Sequence, residues 1–447
     1  MSSPQLPSPA QPSRAPIAAE HIACPDCGCR QRLPPLRRGM MAECRACHRM
    51  LARPRLLPRD ATLALLLAAL LLWCPASTAT LLVVASAGAE RTGAIGTGVQ
   101  ALWSSGYAPL AIVVALFVLI VPWLYFGLIT YVLLGLRLRG RAGAAPALRL
   151  GRALRWAQQL RPWMMIEVFL LGGCVAYSRI EQVAYVSVGV AGWCLIATTL
   201  LLLLALAELD NQTLWQALPA AQAAPGLGAL RRGRAHATAR SGSLVRLAAR
   251  PGELACLVCD ALVRGTRPAE HCPRCGSVLH VRKPHSVQRT AALALCGLLL
   301  YFPANLLPVL SLERLGHTEP STILGGVREL AEIGLWPLAV LVFTASIVIP
   351  LAKLLVLGLN LWLLRRRSGR WLVMRTRLHR VVDAVGRWSN IDIFMLSLLV
   401  ALVQFGNLTH VRAEPGATAF AAVVVLTMLA AKSFDPRLMW DVARVPR

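Results

Sequence analysis

The sequence predicts an all-α polytopic membrane protein built as two tandem four-span modules, each preceded by a small cysteine-bearing head. Composition is the first observation: 56% of the 447 residues are hydrophobic and only 15% are charged, where soluble globular chains carry roughly 25%. The second is clumping, because the apolar residues fall into runs long enough to cross roughly 30 Å of hydrocarbon as helix. The third is a duplication with a period of about 228 residues, and repeats of this kind decide the architecture before any single element does.

Taken in order, residues 1–20 are polar, rich in Pro and Ser and without an apolar core, so they predict a disordered N-terminus and no cleavable signal peptide. Residues 21–57 form the first head. Module 1 covers 58–210, with spans at 61–87, 107–136, 163–178 and 183–207. Residues 211–252, rich in Ala, Gly and Arg with little apolar periodicity, read as a linker. The second head occupies 253–284, and module 2 covers 285–441 with spans at 289–311, 335–364, 391–406 and 417–433.

The net charge of +26 comes from 47 Lys+Arg against 21 Asp+Glu. It reads as loop charge that sets orientation and not as a nucleic-acid footprint, since cytoplasmic loops retain Lys and Arg. The segment after span 2 carries Arg137, Arg139, Arg141, Arg149, Arg152, Arg155 and Arg161. Its counterpart after span 6 carries Arg365, Arg366, Arg367, Arg370, Arg375, Arg377, Arg380 and Arg387. Both segments are therefore expected in the cytoplasm, together with both termini, both heads and the 208–288 connection. The duplication itself is read from Thr62 and Pro75 recurring as Thr290 and Pro303, from Gly98, Gly106, Pro109 and Pro122 recurring as Gly326, Gly334, Pro337 and Pro350, and from Trp163, Glu167, Asp210 and Trp215 recurring as Trp388, Asp392, Asp435 and Trp440.

The heads carry the clearest chemistry. Cys24-Pro-Asp-Cys27 and Cys44-Arg-Ala-Cys47 are separated by sixteen residues, and Cys256-Leu-Val-Cys259 and Cys272-Pro-Arg-Cys275 by twelve. Two CxxC knuckles at such spacing fold four thiolates around one tetrahedral ion, as in rubredoxin-like ribbons, and closed Cys₄ sites are a usual structural use of zinc. Two zinc ions per chain follow, with iron the less favoured metal and a redox dithiol the competing use of the pairs. Cys29, His48, His271 and His280 are surplus to the two shells. Cys74, Cys174, Cys194 and Cys296 lie inside apolar runs and read as small core residues.

Polar residues inside spans mark the candidate transport site. All but three of the basic residues are Arg, and Lys353 alone of the lysines lies well inside a span. Placing it there costs about 2.5–3.5 kcal/mol on insertion scales, so it is expected to face a polar partner or cavity, with snorkelling to the interface as the alternative. Ser346 lies seven residues earlier on the same helical face, and Pro350 stands between them. Pro303, Asn305 and Pro308 predict a broken helix in span 5 with carbonyls freed toward a cavity; the alternative is a packing kink capped by Asn305. Thr427 and Arg179 are weaker candidates for the same polar track. Glu167 and Asp392 read as carboxylates at positive helix starts. No nucleotide loop, Ser/His/Asp arrangement or HExxH motif occurs, which points away from an enzyme.

The paired ribbons, the Tyr301-Phe-Pro-Ala-Asn-Leu-Leu-Pro308 segment, the 346–353 segment and the ending Ser433-Phe-Asp-Pro-Arg-Leu-Met-Trp-Asp441 together resemble the paraquat-inducible protein A (PqiA/LetA) family from about residue 20 onward. The resemblance is strongest in module 2; module 1 departs from it at Cys74-Pro-Ala-Ser77 and Asn211-Gln-Thr213. It implies an inner-membrane protein of a Gram-negative cell that works with a periplasmic tunnel protein bearing mammalian-cell-entry (MCE) domains and passes phospholipid or related lipid for envelope maintenance. By the same resemblance, Ser346, Lys353 and Thr427 match a polar network of the second membrane module, and Arg179 matches a basic residue of the first. Two other functions stay beside this one: a redox or stress-responsive membrane protein using the CxxC thiols, and a membrane anchor for the tunnel that moves no substrate.

Overall fold

The structure, a computed structural model, describes residues 21–32, 41–52, 57–86, 89–138, 147–182, 184–218, 253–264, 269–314, 317–405 and 409–443. The expected disordered N-terminus and most of the expected linker lie outside these residues. Among the described residues eight helices are long and apolar enough to span a membrane: Asp60–Thr78, Ala108–Leu138, Arg149–Ile180, Val190–Glu208, Ser286–Leu306, Trp336–Arg365, Leu372–Leu402 and Pro415–Ser433. They are called spans 1 to 8 below. The fold is mostly helical and duplicated, with a four-cysteine cluster ahead of each half.

Several boundaries differ from the sequence reading, each for a local reason. Span 1 ends at Thr78, and the apolar residues that follow form the strand Leu82–Ser86, in which Leu82 and Val84 are buried while Val83 and Ala85 are half-buried. That alternation has the period of a strand. The strand pairs with Ala89–Gly93 and with Tyr185–Val188, a stretch the sequence reading placed at the start of span 4. The same happens in module 2, where Leu310–Arg314 pairs with His317–Ser321 and Thr409–Ala413. Each module thus adds a small antiparallel sheet, at the end remote from the cysteine heads, to a mostly helical fold.

The Arg-rich segments after spans 2 and 6 are helices, Ala147–Leu160 and Leu372–Val385, and not loops. In the first, Leu150, Ala153, Leu154 and Ala157 are buried, and their 0, 3, 4, 7 spacing makes one apolar helix face. Each helix runs through a 3-10 turn, Arg161–Trp163 or Gly386–Asn390, into the apolar helix Ile166–Ile180 or Ile391–Leu402. Asn211–Ala217, counted above into the linker, is also helical and is capped by the Asp210 carboxylate. Three of the in-span cysteines are corrected too: Cys74, Cys174 and Cys296 are exposed and face outward, while Cys194 is half-buried against the core. Lipid is as apolar as a protein core, and hydropathy alone does not separate the two.

Within module 1 span 1 packs on span 4, and within module 2 span 5 packs on span 8. The modules join through Ile166–Ile180 and Ile391–Leu402. Every residue from Ile391 to Val400 is buried, as a helix apolar on all sides requires. Backbones approach closely at this seam. A Cβ on Gly172 would stand 3.0 Å from the Ile391 carbonyl, and one on Gly98 would stand 2.9 Å from that of Ser397. Phe169 meets Phe394 edge to face at 5.8 Å.

The heads are crossed. The first packs Ile22 and Leu51 against Leu357, Phe434, Met439 and Trp440 of module 2, while Asp26 accepts from Arg380 at 2.8 Å and the Pro25 carbonyl from Arg437 at 3.0 Å. The second sits on module 1, where Gln212 donates to Asp260 at 3.1 Å and the Arg274 backbone lies over Gly151. Head 1 therefore seats on module 2 and the knuckles of head 2 on module 1, while Arg282 and Lys283 at the end of head 2 bind Asp441 and Asp435 of module 2.

Because Gly172 lies against backbone and Gly127 faces open space, Gly172→Val is expected to lower stability by about 1–3 kcal/mol through overpacking. Gly127→Val is expected to leave it unchanged. Thermal unfolding of the purified full chain measures both.

Candidate functional site

Each head places two knuckles face to face. In every knuckle the residue after the second cysteine has positive φ: Gly28 (70°), His48 (54°), Asp260 (54°) and Gly276 (69°). This turns the chain so that the Gly28, His48 and Gly276 amides donate back to the first cysteine's carbonyl at 2.8–2.9 Å. The sulfurs of Cys24 and Cys47 lie 3.5 Å apart, as do those of Cys27 and Cys44; Cys256–Cys275 is 3.6 Å and Cys259–Cys272 is 3.7 Å. All eight cysteines are buried. Four sulfurs bound tetrahedrally at about 2.3 Å lie about 3.8 Å from one another, so both clusters fit a tetrahedral ion. His48 and His271 are exposed and, like His280, stand outside the clusters; Cys29 is buried beside the first. Burial pushes the neighbouring Asp260 carboxyl up to about 7, against the opposing pull of Arg437 and Arg49.

The polar interior of module 2 is organised by the turn Gly386–Asn390. Lys353 is 1% exposed, and its Nζ donates to the Gly386 carbonyl at 2.6 Å and to Ser389 Oγ at 3.3 Å. Ser389 Oγ donates to the same carbonyl at 2.7 Å. The ammonium is therefore held inside and does not snorkel. Its stem lies over Gly386, where a Cβ would come within 2.2 Å of Lys353 Cε. Ser346 donates to the Asp392 carboxylate, whose other oxygen is buried and has no hydrogen-bond partner among the described residues. Ser346 and Lys353 thus meet through the turn Gly386–Asn390 and the first turn of Ile391–Leu402 and do not touch each other.

Span 6 is shaped for this. Thr344–Val348 is a π-helical turn, closed by Ile349 N–H donating to Thr344 C=O and followed at once by Pro350. A proline lacks the amide that continues the helical ladder, and the wider turn, a feature frequent at functional sites, contains Ser346. The Tyr301 hydroxyl donates to the Ile347 carbonyl at 3.3 Å. Module 1 has the same π turn, Ala115–Ile120, ahead of Pro122. There the places of Ser346, Lys353 and Thr427 are taken by Val118, Tyr125 and Leu202, all buried.

Other expected residues fall differently. The helix of span 5 is not broken. It runs through Pro303 to Leu306, and Leu307 turns extended ahead of Pro308, as residues preceding proline do. Only one of the two prolines lies in the helix, and Asn305 Nδ2 donates to the Tyr301 carbonyl at 2.8 Å, capping the freed backbone. Thr427 is buried, with its hydroxyl on the Val424 carbonyl at 3.0 Å, and no hydrogen bond joins it to Lys353. Arg179 ties the modules together, donating to the Gly326 carbonyl at 3.1 Å and lying 3.9 Å from Glu329. Glu167 pairs with Arg387 at 2.9 Å, again between modules. Sequence reasoning undervalued Asp392 and missed Gly386 and Ser389. The signal for Asp392 was a carboxylate followed at once by the apolar Ile393-Phe-Met-Leu396, a costly placement by itself.

Two four-span modules, one of them with a buried Lys and Asp, headed by paired Cys₄ clusters, define a polytopic integral membrane protein of duplicated architecture. The chain belongs to the PqiA family: the family model for paraquat-inducible protein A matches residues 60–219 and 287–444. It is 35% identical over 434 residues to the intermembrane transport protein PqiA of Escherichia coli strain K12, covering 95% of this chain and 96% of that protein. It is 30% identical over 297 residues to the lipophilic envelope-spanning tunnel protein A of the same strain, covering 66% and 64%. A probable intermembrane transport protein of Haemophilus influenzae is 36% identical over 174 residues, covering 38% and 41%. No solved structure is matched.

Gly386→Ala is expected to displace the Lys353 side chain and to reproduce the phenotype of Lys353→Ala in a folded protein, whereas Gly358→Ala, facing open space, is expected to be silent. Comparing the three in one cellular assay of the family's activity, with membrane levels as control, checks it.

Proposed function

We propose that this protein is the inner-membrane component of a lipid transport system, passing phospholipid or a related lipid to or from an MCE-domain periplasmic tunnel protein in a Gram-negative envelope. The observation that carries the reading is the Lys353 ammonium, buried in module 2 and held by Gly386 and Ser389 beside the Ser346–Asp392 pair. An intramembrane ionisable residue of this kind marks a substrate or proton path by default. The names of the relatives, intermembrane transport protein and envelope-spanning tunnel protein, support transport across the envelope and a non-enzymatic role. The alternation of Arg-rich and Arg-poor connections supports cytoplasmic termini and heads.

In this reading the working set is Ser346, Lys353 and Asp392, with Pro350 shaping the turn that presents Ser346. Thr427 lies on the wall of the same module, Pro303, Asn305 and Pro308 shape the far end of span 5, and Arg179 holds the modules in register. The heads carry one zinc each, on Cys24, Cys27, Cys44 and Cys47 and on Cys256, Cys259, Cys272 and Cys275. Full burial of all eight thiols favours a closed metal shell over a redox dithiol, since reactive cysteines are partly exposed.

Metal analysis of the purified chain is expected to give two zinc ions, and Cys256→Ser with Cys272→Ser to lose one of them together with stability; fewer than one zinc per chain overturns the assignment. Lys353→Ala is expected to abolish complementation of an envelope-barrier defect while expression and partner binding persist, and Tyr125→Ala to do much less. Full complementation by Lys353→Ala would falsify the transport site.

A further inference from the structure

A cavity of about 220 Å³ lies at the head-side end of the bundle, where the two 3-10 turns and the last turn of span 8 meet. Its lining brings together Arg161 of module 1 with Lys353, Arg387 and Lys432 of module 2, and Asp383 is the one carboxylate among them. Arg387 is engaged by Glu167 at 2.9 Å. Arg161 and Lys432 have no side-chain hydrogen bond or ion pair among the described residues, and Lys353 is attracted by Asp383 and, more weakly, repelled by Lys432. The floor is apolar, formed by Pro162, Met428 and Ala431. Four cations converging on one small cavity, two of them unpaired, leave an excess of positive charge that an anion would relieve.

We infer that this cavity binds the phosphate of a glycerophospholipid headgroup, with Arg161 and Lys432 as its principal ligands and Lys353 at its inner wall. Phosphate, which every glycerophospholipid headgroup carries, is an anion that Arg and Lys recognise through charge-assisted hydrogen bonds. The volume falls below the roughly 300–1,000 Å³ of sites that enclose drug-sized molecules, so the cavity admits a headgroup and leaves the acyl chains outside. Its position agrees. Arg161 and Arg387 stand on the 3-10 turns just ahead of the apolar helices Ile166–Ile180 and Ile391–Leu402, and Lys432 stands in the last turn of span 8, so polar chain gives way to apolar helix at the cavity. A free phosphate shares the charge chemistry but has no use for that floor. The site spans both modules and ends on Lys353, so a headgroup seated there touches the group to which the transport reading assigns the work. The inference rests on that reading for its purpose, not for its geometry.

The test is binding of a water-soluble short-chain phosphatidylglycerol to the full chain in detergent, followed by calorimetry. The Arg161→Gln/Lys432→Gln double variant is expected to bind at least tenfold more weakly than the wild type. The charge-keeping pair Arg161→Lys/Lys432→Arg is expected within threefold, and Arg370→Gln, exposed and outside the cavity, unchanged. Inorganic phosphate is expected to bind at least tenfold more weakly than the lipid, and short-chain diacylglycerol not at all. Unaltered lipid binding by the folded double variant overturns the site, diacylglycerol binding as tight as the phospholipid overturns the phosphate, and inorganic phosphate binding as tight as the lipid overturns the lipid source. If Lys353→Ala complements while the headgroup binds as expected, the transport reading falls and the site stands. If Lys353→Ala fails to complement and the double variant binds normally, the site falls alone.

Discussion

A lysine ammonium inside an apolar bundle has to be given oxygen partners, and in this protein they come from one turn. Gly386 supplies a carbonyl at 2.6 Å and Ser389 a hydroxyl at 3.3 Å, because the 3-10 turn Gly386–Asn390 exposes backbone acceptors that an α-helical entry into span 7 would consume internally. The turn imposes conditions on its surroundings. Position 386 must be glycine for the Lys353 stem to lie across it. The Ile391–Leu402 helix must then start where Asp392 meets Ser346, and the π turn in span 6 sets the face on which Ser346 stands. Moving any one of these parts leaves either a charge or a carboxylate buried without a partner, at several kcal/mol.

Duplication explains how such an expensive arrangement arises on a robust frame. Both modules keep the features that serve folding: the π turn before proline, the left-handed Gly106 and Gly334 at φ 86°, the 3-10 entry into the third helix, and the sheet at the far end. Only module 2 keeps the polar set. In module 1 Val118, Tyr125 and Leu202 fill the same space with apolar or aromatic bulk, and Glu167 turns from its own module to bind Arg387. One half is filled with apolar and aromatic bulk, the other keeps a buried Lys, Ser and Asp, and the buried seam between Ile166–Ile180 and Ile391–Leu402 joins them.

The parts of this architecture that sequence made legible are those written in one residue type at fixed spacing. Eight spans follow from hydropathy and length, and two Cys₄ clusters follow from four CxxC pairs. What stayed hidden depends on where an apolar run stops. Leu82–Ser86 is apolar enough to extend a span, and only strand pairing separates it from one, whereas Leu310–Arg314 ends in Glu313 and Arg314 and only its first residues join the apolar run of span 5. Pro303 and Pro308 look like a double break until the helix is seen to end between them. Cys74, Cys174 and Cys296 were read as core because lipid and core present the same demand. Asp392 fitted a helix-start carboxylate equally well, and nothing local distinguishes that role from a partnership with Ser346 46 residues away.

The crossing of the heads has no local signature at all, yet it follows from charge and surface. Head 1 presents Asp26, which Arg380 and Arg49 approach from opposite sides, and the Pro25 carbonyl, which Arg437 meets from the end of module 2. Arg437 is 3% exposed along its side chain and also lies 3.8 Å from Asp260 of head 2. One buried guanidinium thus touches both heads while belonging to neither, and five fixed donors make Arg suited to such bridging. A head seated on its own module would stabilise that module alone. Head 1 on module 2, and head 2 held by Gln212 of module 1 and by Asp441 and Asp435 of module 2, link the two halves a second time, at the end of the bundle opposite the Arg179 tie to Gly326. The seam that carries Asp392 is therefore clamped at both ends, and the site in module 2 depends on a cysteine cluster encoded more than three hundred residues before it.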